Sequence, residues 1–259
     1  MLDVKLSRRR LVRSAVVAGT GLAVVPGCSL LDPTATQHQP EGPKDSRFLT
    51  IDGVTNARPV VPGRLYRSAA LNRATDRGVQ QLADLHLKSV VDFRRKEEVG
   101  VRVDRLPHGV AALAAPVAAT VAAGPPTASL TSPAATTLAE FRAYVNKPAN
   151  RQSFGAALRE VAGAPDRILL WHCNSGTYRT GWATAVLLTA IGTEKDQVYA
   201  DFLLSNEAFG ATFAFVEYLD AGFEEANREF GSFEAYLDQG LGVDKPALDR
   251  LRHTLRLKP

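Results

Sequence analysis

Apolar positions in this chain follow two rhythms. Leu87–Phe93, with the β-branched pair Val90-Val91 at its centre, and the apolar run from Ile168 to His172 are short and bulky, which predicts buried strands. Elsewhere the apolar residues recur at helical spacing. Val79, Leu82, Ala83 and Leu85 predict a helix over Thr75–Leu85, with Thr75 and Asp76 as N-terminal caps. Phe141, Tyr144, Val145, Phe154, Leu158 and Val161 predict helix over Glu140–Ala162, broken at Pro148. Further helices are expected at Trp182–Ile191, at Glu194–Ser205 behind a Thr193 cap, and at Phe209–Glu229 with a break at Gly222. Phe233–Leu237 and Pro246–Leu255 close the chain as short helices. Phe48–Val54 and Val60–Arg67 read as short strands with turn chemistry at Asp52-Gly53 and Pro62-Gly63. Ala111–Thr137, dominated by Ala, Pro, Thr and Ser, reads as a strand followed by an irregular excursion. Strands alternating with helices indicate one α/β domain, a central and mostly parallel sheet flanked by helices.

The first residues follow neither rhythm. Ser7-Arg8-Arg9-Arg10-Leu11-Val12-Arg13 precedes a mildly apolar run, Ser14–Val25, too short for a good transmembrane span. The layout resembles a twin-arginine export signal. Val25-Pro26-Gly27-Cys28 looks like a lipoprotein cleavage box, with Cys28 as the lipid-bearing new N-terminus and Pro26 as a departure. Residues 1–28 are therefore expected to be an export signal and 29–46 a flexible tether rich in Pro, Thr, Gln and Gly. The folded domain is expected over 47–259. Its location follows as outside the cytoplasm, held to the membrane through lipid or secreted.

Charge agrees with that division. Residues 1–27 carry Lys5, Arg8, Arg9, Arg10 and Arg13 against Asp3, which accounts for the +4 of the whole chain. The remainder is formally neutral, and no basic run interleaved with aromatics speaks for nucleic acid. The chain has two cysteines, Cys28 and Cys173. If one bears lipid and the other reacts, no disulfide remains.

The chemistry concentrates at Ile168–Gly181, which reads Ile-Leu-Leu-Trp-His-Cys-Asn-Ser-Gly-Thr-Tyr-Arg-Thr-Gly. Strand, tight loop and helix follow in order. A loop that opens a helix turns its N–H groups inward, and the helix dipole adds positive potential. Cys173 stands at the base of this cradle. Arg179 closes it with a planar fork suited to two phosphate oxygens. His172, Asn174, Ser175, Thr177 and Tyr178 complete the loop, Gly176 lets it bend, and Thr180 brings a hydroxyl to the sulfur. The arrangement favours the thiolate of Cys173 and in-line attack on phosphorus, giving a thiophosphoryl intermediate that water hydrolyses. Arg179 and the amides neutralise the equatorial oxygens, so neither metal nor cofactor is called for. His172 is expected to orient the sulfur through backbone contacts rather than act as a base.

His-Cys-x5-Arg-Thr-Gly resembles the signature of the cysteine-dependent protein tyrosine phosphatases. Gly-Arg-Leu-Tyr-Arg-Ser-Ala-Ala-Leu at 63–71, Val-Val-Asp-Phe-Arg at 90–94 and Asp-Phe-Leu-Leu-Ser-Asn at 201–206 are similar to blocks of a bacterial branch with dual-specificity and phosphoinositide-phosphatase activity. The resemblance implies that fold, a phosphorylated protein or small phosphomonoester as substrate, and Asp92 as general acid. Asp92 could instead be scaffold, paired with Arg94 or Arg95, and Asp201 is the rival acid. The 94–98 charge run reads as a solvated helix start. An Asn-Phe-Arg-Asp-type motif of the branch is matched only in part by Thr55-Asn56-Ala57-Arg58.

Thr177-Tyr178 stands where the branch has Lys-Asp before the loop arginine. Losing that lysine weakens the case for polyphosphorylated inositides and leaves simpler phosphomonoesters, including phosphotyrosine. Tyr178 is suited either to stacking on a substrate ring or to lining the rim. In related phosphatases helices in the region of Glu140–Ala162 can form a lid, and two packing helices explain the pattern equally well. An inositol-phosphate phosphatase, a rhodanese-like sulfurtransferase and a non-catalytic phospho-ligand module remain open as alternatives.

Overall fold

The computed structural model describes residues 47–100, 102–119, 128–164 and 166–255. The expected export signal and tether, including Cys28, lie outside the described residues.

Five short strands form one sheet among the described residues: β1 (Arg58–Val61), β2 (Leu65–Ser68), β3 (Ser89–Asp92), β4 (Ala111–Ala114) and β5 (Leu169–His172). Their spatial order is β1-β2-β5-β3-β4. Only the β1–β2 pairing is antiparallel; the other three are parallel. The central strand β5 is buried along its whole length. Its side chains alternate between two cores, as strand geometry requires. Leu169 and Trp171 face one, Leu170 the other. Val91 and Val90 of β3 divide in the same way.

The smaller core lies under α1 (Asp76–Asp84) and the N-terminal turn Ile51–Val54. Thr75 caps α1 by accepting from Gly78 N at 3.1 Å. After β3 comes the four-residue α2 (Lys96–Val99). The larger core is built by α3 (Ala135–Asn146), α4 (Pro148–Gly163), α5 (Tyr178–Ala190), α6 (Lys195–Phe209) and α7 (Val216–Phe230). Pro148 opens α4 at its first turn, where a missing N–H costs nothing. Phe233–Ala235 (α8) runs into a π turn over Tyr236–Gly240, and α9 (Lys245–Leu255) packs on α4. No helix of the described residues is long and apolar enough to cross a membrane.

Five expectations change. Phe48–Val54 is not a strand and holds only an isolated bridge between Ile51 and Val54, and α6 starts behind Glu194 without a Thr193 cap. Val60–Arg67 is not one strand: Gly63, at φ +70°, turns the chain back and makes β1 and β2 a hairpin. Gly222 does not break a helix. The chain instead interrupts at Gly210–Phe215, and α7 runs through Gly222, whose missing side chain leaves room for the Trp182 ring. A Cβ there would lie 2.4 Å from that ring. Finally, the 94–98 charge run is not solvated throughout, since Arg94 and Glu98 are both buried.

Candidate active site

Parallel pairing aligns the carboxyl ends of β2, β5 and β3, with His172 opposite both Ser68 and Asp92. Ligands of open α/β sheets bind at such ends. Here β5 ends at His172, the loop 173–177 follows, and α5 begins at Tyr178.

Loop amides can face inward only if the carbonyls are held outward, and four separate contacts do this. Ala70 N donates to Asn174 O at 2.9 Å, and Asn56 Nδ2 donates to Ser175 O at 2.9 Å. Arg67 Nη2 donates to Gly176 O at 2.6 Å. Gly181 N takes Thr177 O into the first turn of α5 at 2.8 Å. Gly176 sits at φ +71°, and a Cβ there would meet Ser68 O at 2.2 Å, so both conformation and space demand glycine.

The donors are themselves held from behind. Asp201, on α6, accepts from Arg58 Nε at 2.9 Å and pairs closely with Arg67. Arg58 also pairs closely with Asn56, which takes the left-handed conformation at φ +60° and lies 3.3 Å from Ser205 Oγ. Asn56, Arg58 and Ser205 were not singled out as site residues by sequence reasoning. Their signal was the partial motif at 55–58 and the block at 201–206. Asp201, the rival acid, is thus placed behind the loop between two buried arginines, and they keep its carboxyl below its ordinary range against the opposing effect of burial.

Arg179 is oriented by Glu98 of α2. Its Nη1 and Nη2 donate to Glu98 Oε2 and Oε1 at 2.7 and 2.9 Å, a two-point pair almost closed to solvent. Nη1 also lies 3.2 Å from Phe93 O. Asn174 Nδ2 donates to Glu98 Oε1, and Arg95 N to Oε2, so one carboxylate ties the loop, its arginine and α2 together. Burial pushes Glu98 up, but these donors hold it at about 2. Sequence reasoning missed Glu98, having left it in a solvated run.

Cys173 is buried, which pushes its thiol up. Arg179, the Thr180 hydroxyl and the N–H groups of Thr180 and Gly176 outweigh burial and bring the thiol below its ordinary value. The surroundings of Cys173 thus favour the thiolate over the thiol.

On the β3 side, Asp92 is gripped by Arg94: Nε lies 3.0 Å from both carboxylate oxygens and Nη2 lies 2.8 Å from Oδ2. Arg94 also donates to Asp104 Oδ2 at 2.6 Å. Asp104, a further residue sequence reasoning passed over, lies 3.1 Å from His172 Nε2. Burial pushes fully buried His172 down, but Asp104 and Asp92 raise it overall. His172 Nδ1 is 3.1 Å from Cys173 O, a backbone contact next to the sulfur. Donor atoms of Asp92, Asp104 and His172 fall within 4.8 Å of one another, the spacing of a metal site. Arg94 already serves both carboxylates there, so a cation would have to displace a buried guanidinium.

Tyr178 packs edge-on to Phe141, Phe213 and Tyr218 with centroids 6.1, 6.2 and 5.8 Å away, and its hydroxyl donates to Phe213 O at 3.2 Å. Its ring belongs to the aromatic cluster beneath α3. Thr177 is fully buried and brings no charge to the pocket.

A model of the tyrosine phosphatase family matches residues 50–257. A Cupriavidus necator protein named as a tyrosine-protein phosphatase is 29% identical over 233 residues, covering 76% of this chain and 85% of its own. The triple specificity protein phosphatase PtpB of Mycobacterium tuberculosis is 26% identical, covering 61% of this chain and 66% of its own. Among solved structures, the core catalytic domain of the S. cerevisiae PP-IP phosphatase SIW14 with citrate is 16% identical at a TM-score of 0.41, covering 66% of this chain and 86% of that one. The family match runs through nearly every element that shapes the cradle around Cys173, and the chain belongs to the tyrosine phosphatase family.

Proposed function

We propose that this protein hydrolyses phosphomonoesters, phosphotyrosine among them, through a thiophosphoryl intermediate on Cys173. The observation that carries the reading is the outward pinning of four consecutive loop carbonyls, which leaves the amides between Cys173 and Arg179 to an oxyanion, apart from Thr177 N, which donates to Ser175 Oγ at 3.3 Å. The thiolate attacks phosphorus in line, and the S–P bond forms as the P–O bond to the leaving group breaks. Arg179 and the amides take up the charge on the equatorial oxygens. Asp92 supplies the proton to the departing oxygen, then accepts one from the water that attacks the intermediate and returns Cys173 to thiolate. Arg94 fixes the Asp92 carboxyl.

The test is metal-free turnover of phosphotyrosine, phosphoserine and phosphothreonine peptides, inositol phosphates, and thiosulfate with cyanide, using residues 40–259. Phosphate release lost in Cys173→Ser is the expected result. Phosphate bound but never released from an ester would make the domain a binding module, and sulfur transfer would make it a sulfurtransferase.

The proposed setting is outside the cytoplasm, with the domain tethered through lipid on Cys28. The arginine-rich, apolar and cleavage-box layout of residues 1–28 supports it. Cys28→Ala should move the protein from membrane to soluble fraction; an unchanged distribution would remove the anchor.

A further inference from the structure

Glu98 serves two arginines. Its Oε2 accepts from Arg179 Nη1 at 2.7 Å and from Arg95 Nε at 3.1 Å. Sharing one oxygen at those distances keeps the two guanidinium groups within about 6 Å of each other, and a single carboxylate neutralises only one of them. The two differ in exposure. Arg179 is almost closed to solvent, whereas 42% of the Arg95 side chain is open. Arg95 is anchored at Nε alone; among the described residues no acceptor meets its two Nη groups. Arg102, next along the same turn, is anchored in the same way, through Nε on Glu98 O at 3.0 Å. The α2 side of the phosphate cradle therefore ends in a fixed, half-open cation.

We infer that Arg95 is a specificity-determining residue, its free Nη pair receiving a second anionic group of the substrate, phosphate or carboxylate, beside the phosphoryl group being transferred. The inference rests on the phosphatase reading of the same site. A planar guanidinium with two free N–H groups matches either oxyanion at two points. Thr177 contributes no cation from within the loop, so charge selection falls to the α2 side. Phosphomonoesters with a neighbouring acidic group are favoured over those without one.

Arg95→Ala keeps the α2 cap, because the Arg95 backbone N–H donates to Glu98 Oε2 at 2.9 Å and survives the substitution; it does remove the Nε contact to Glu98, so the readout is a ratio between substrates and not basal turnover. Turnover is compared for two phosphotyrosine peptides differing by Asp against Asn next to the phosphotyrosine. A second comparison sets vicinal inositol bisphosphates against inositol monophosphates. Wild-type protein should favour the more acidic member of at least one pair, and the pair that responds tells whether carboxylate or phosphate is the second anion. In Arg95→Ala that preference, expressed as a ratio of kcat/KM values, should fall about tenfold, mainly through KM, and Arg95→Lys should restore part of it. Preference should also weaken with added salt. Equal loss on both members of each pair would overturn the inference and make Arg95 a support for Glu98 and Arg179. An unchanged ratio would overturn it as well. Wild-type protein inert toward every ester would instead defeat the phosphatase reading itself.

Discussion

Replacing Glu98 with glutamine removes one charge and almost no volume, at a point where Arg179 meets no other carboxylate among the described residues. Glutamine can still accept from one guanidinium nitrogen, but its amide N–H₂ then faces the other nitrogen and competes with the Asn174 amide. Glu98 is held at about 2 against an ordinary 4.5. At about 1.4 kcal/mol per unit, that difference corresponds to roughly 3 kcal/mol of native-state stability at neutral pH. Breaking a buried pair by removing one partner costs about 3–5 kcal/mol, the same order. Both side chains are only about 5% exposed, so solvent screens little of this. The sign with pH follows from the lowered carboxyl. The stabilisation is fully present above pH 4.5 and is lost as pH falls toward 2. Urea unfolding at pH 7 should show Glu98→Gln destabilised by about 3 kcal/mol, and its stability should lose part of the acid dependence of wild type. A loosened Arg179 should lower kcat/KM on an aryl phosphate about a hundredfold. Loss of less than 1 kcal/mol, with phosphate binding and turnover intact, would show that Glu98 does not hold Arg179 in solution.

Asp92 and Asp201 are separable by leaving group. Asp92→Asn should slow esters of poor leaving groups far more than those of good ones, whereas Asp201→Asn should lower stability and slow both alike through the Arg67–Gly176 contact; the reverse pattern would exchange the roles. The pH profile of Cys173 alkylation should have its midpoint below the value of about 8.5 for a free thiol, and Arg179→Ala should move it upward. A wild-type midpoint at the free-thiol value would refute the primed thiolate. His172 is raised by Asp104, so its contribution to stability is complete below pH 6.5 and is lost as pH rises through the folded-state value. Asp104→Asn should flatten that loss in denaturant titrations between pH 6 and 9; an unaltered slope would dissociate the pair.

The elements legible in the sequence are those whose causes are local. Thr75 caps α1 because its own hydroxyl reaches Gly78 N three residues on. Strand, loop and helix around Cys173 appear where the apolar run, Gly176 and the alanine-rich segment place them. Gly222 misled because a glycine costs a helix only about 1 kcal/mol, which the close packing of Trp182 in the space of the missing side chain offsets. The charge run at 94–98 misled for a related reason. Its periodicity matches a solvated turn, but Arg94 meets Asp104 from the segment between α2 and β4, and Glu98 meets Arg179 of α5.

Thus residues 168–181 by themselves determined the strand–loop–helix frame, with Cys173 at its base and Arg179 six positions on, since the apolar run, the glycine bend and the alanine-rich helix are local features. Tertiary structure decided what makes the cradle rigid and selective. Arg67 reaches Gly176 across 109 positions and Arg179 reaches Glu98 across 81. Such contacts leave no periodic trace in a single sequence. They exist only once parallel pairing has set β2 and β3 on either side of β5 and brought their carboxyl ends to one edge.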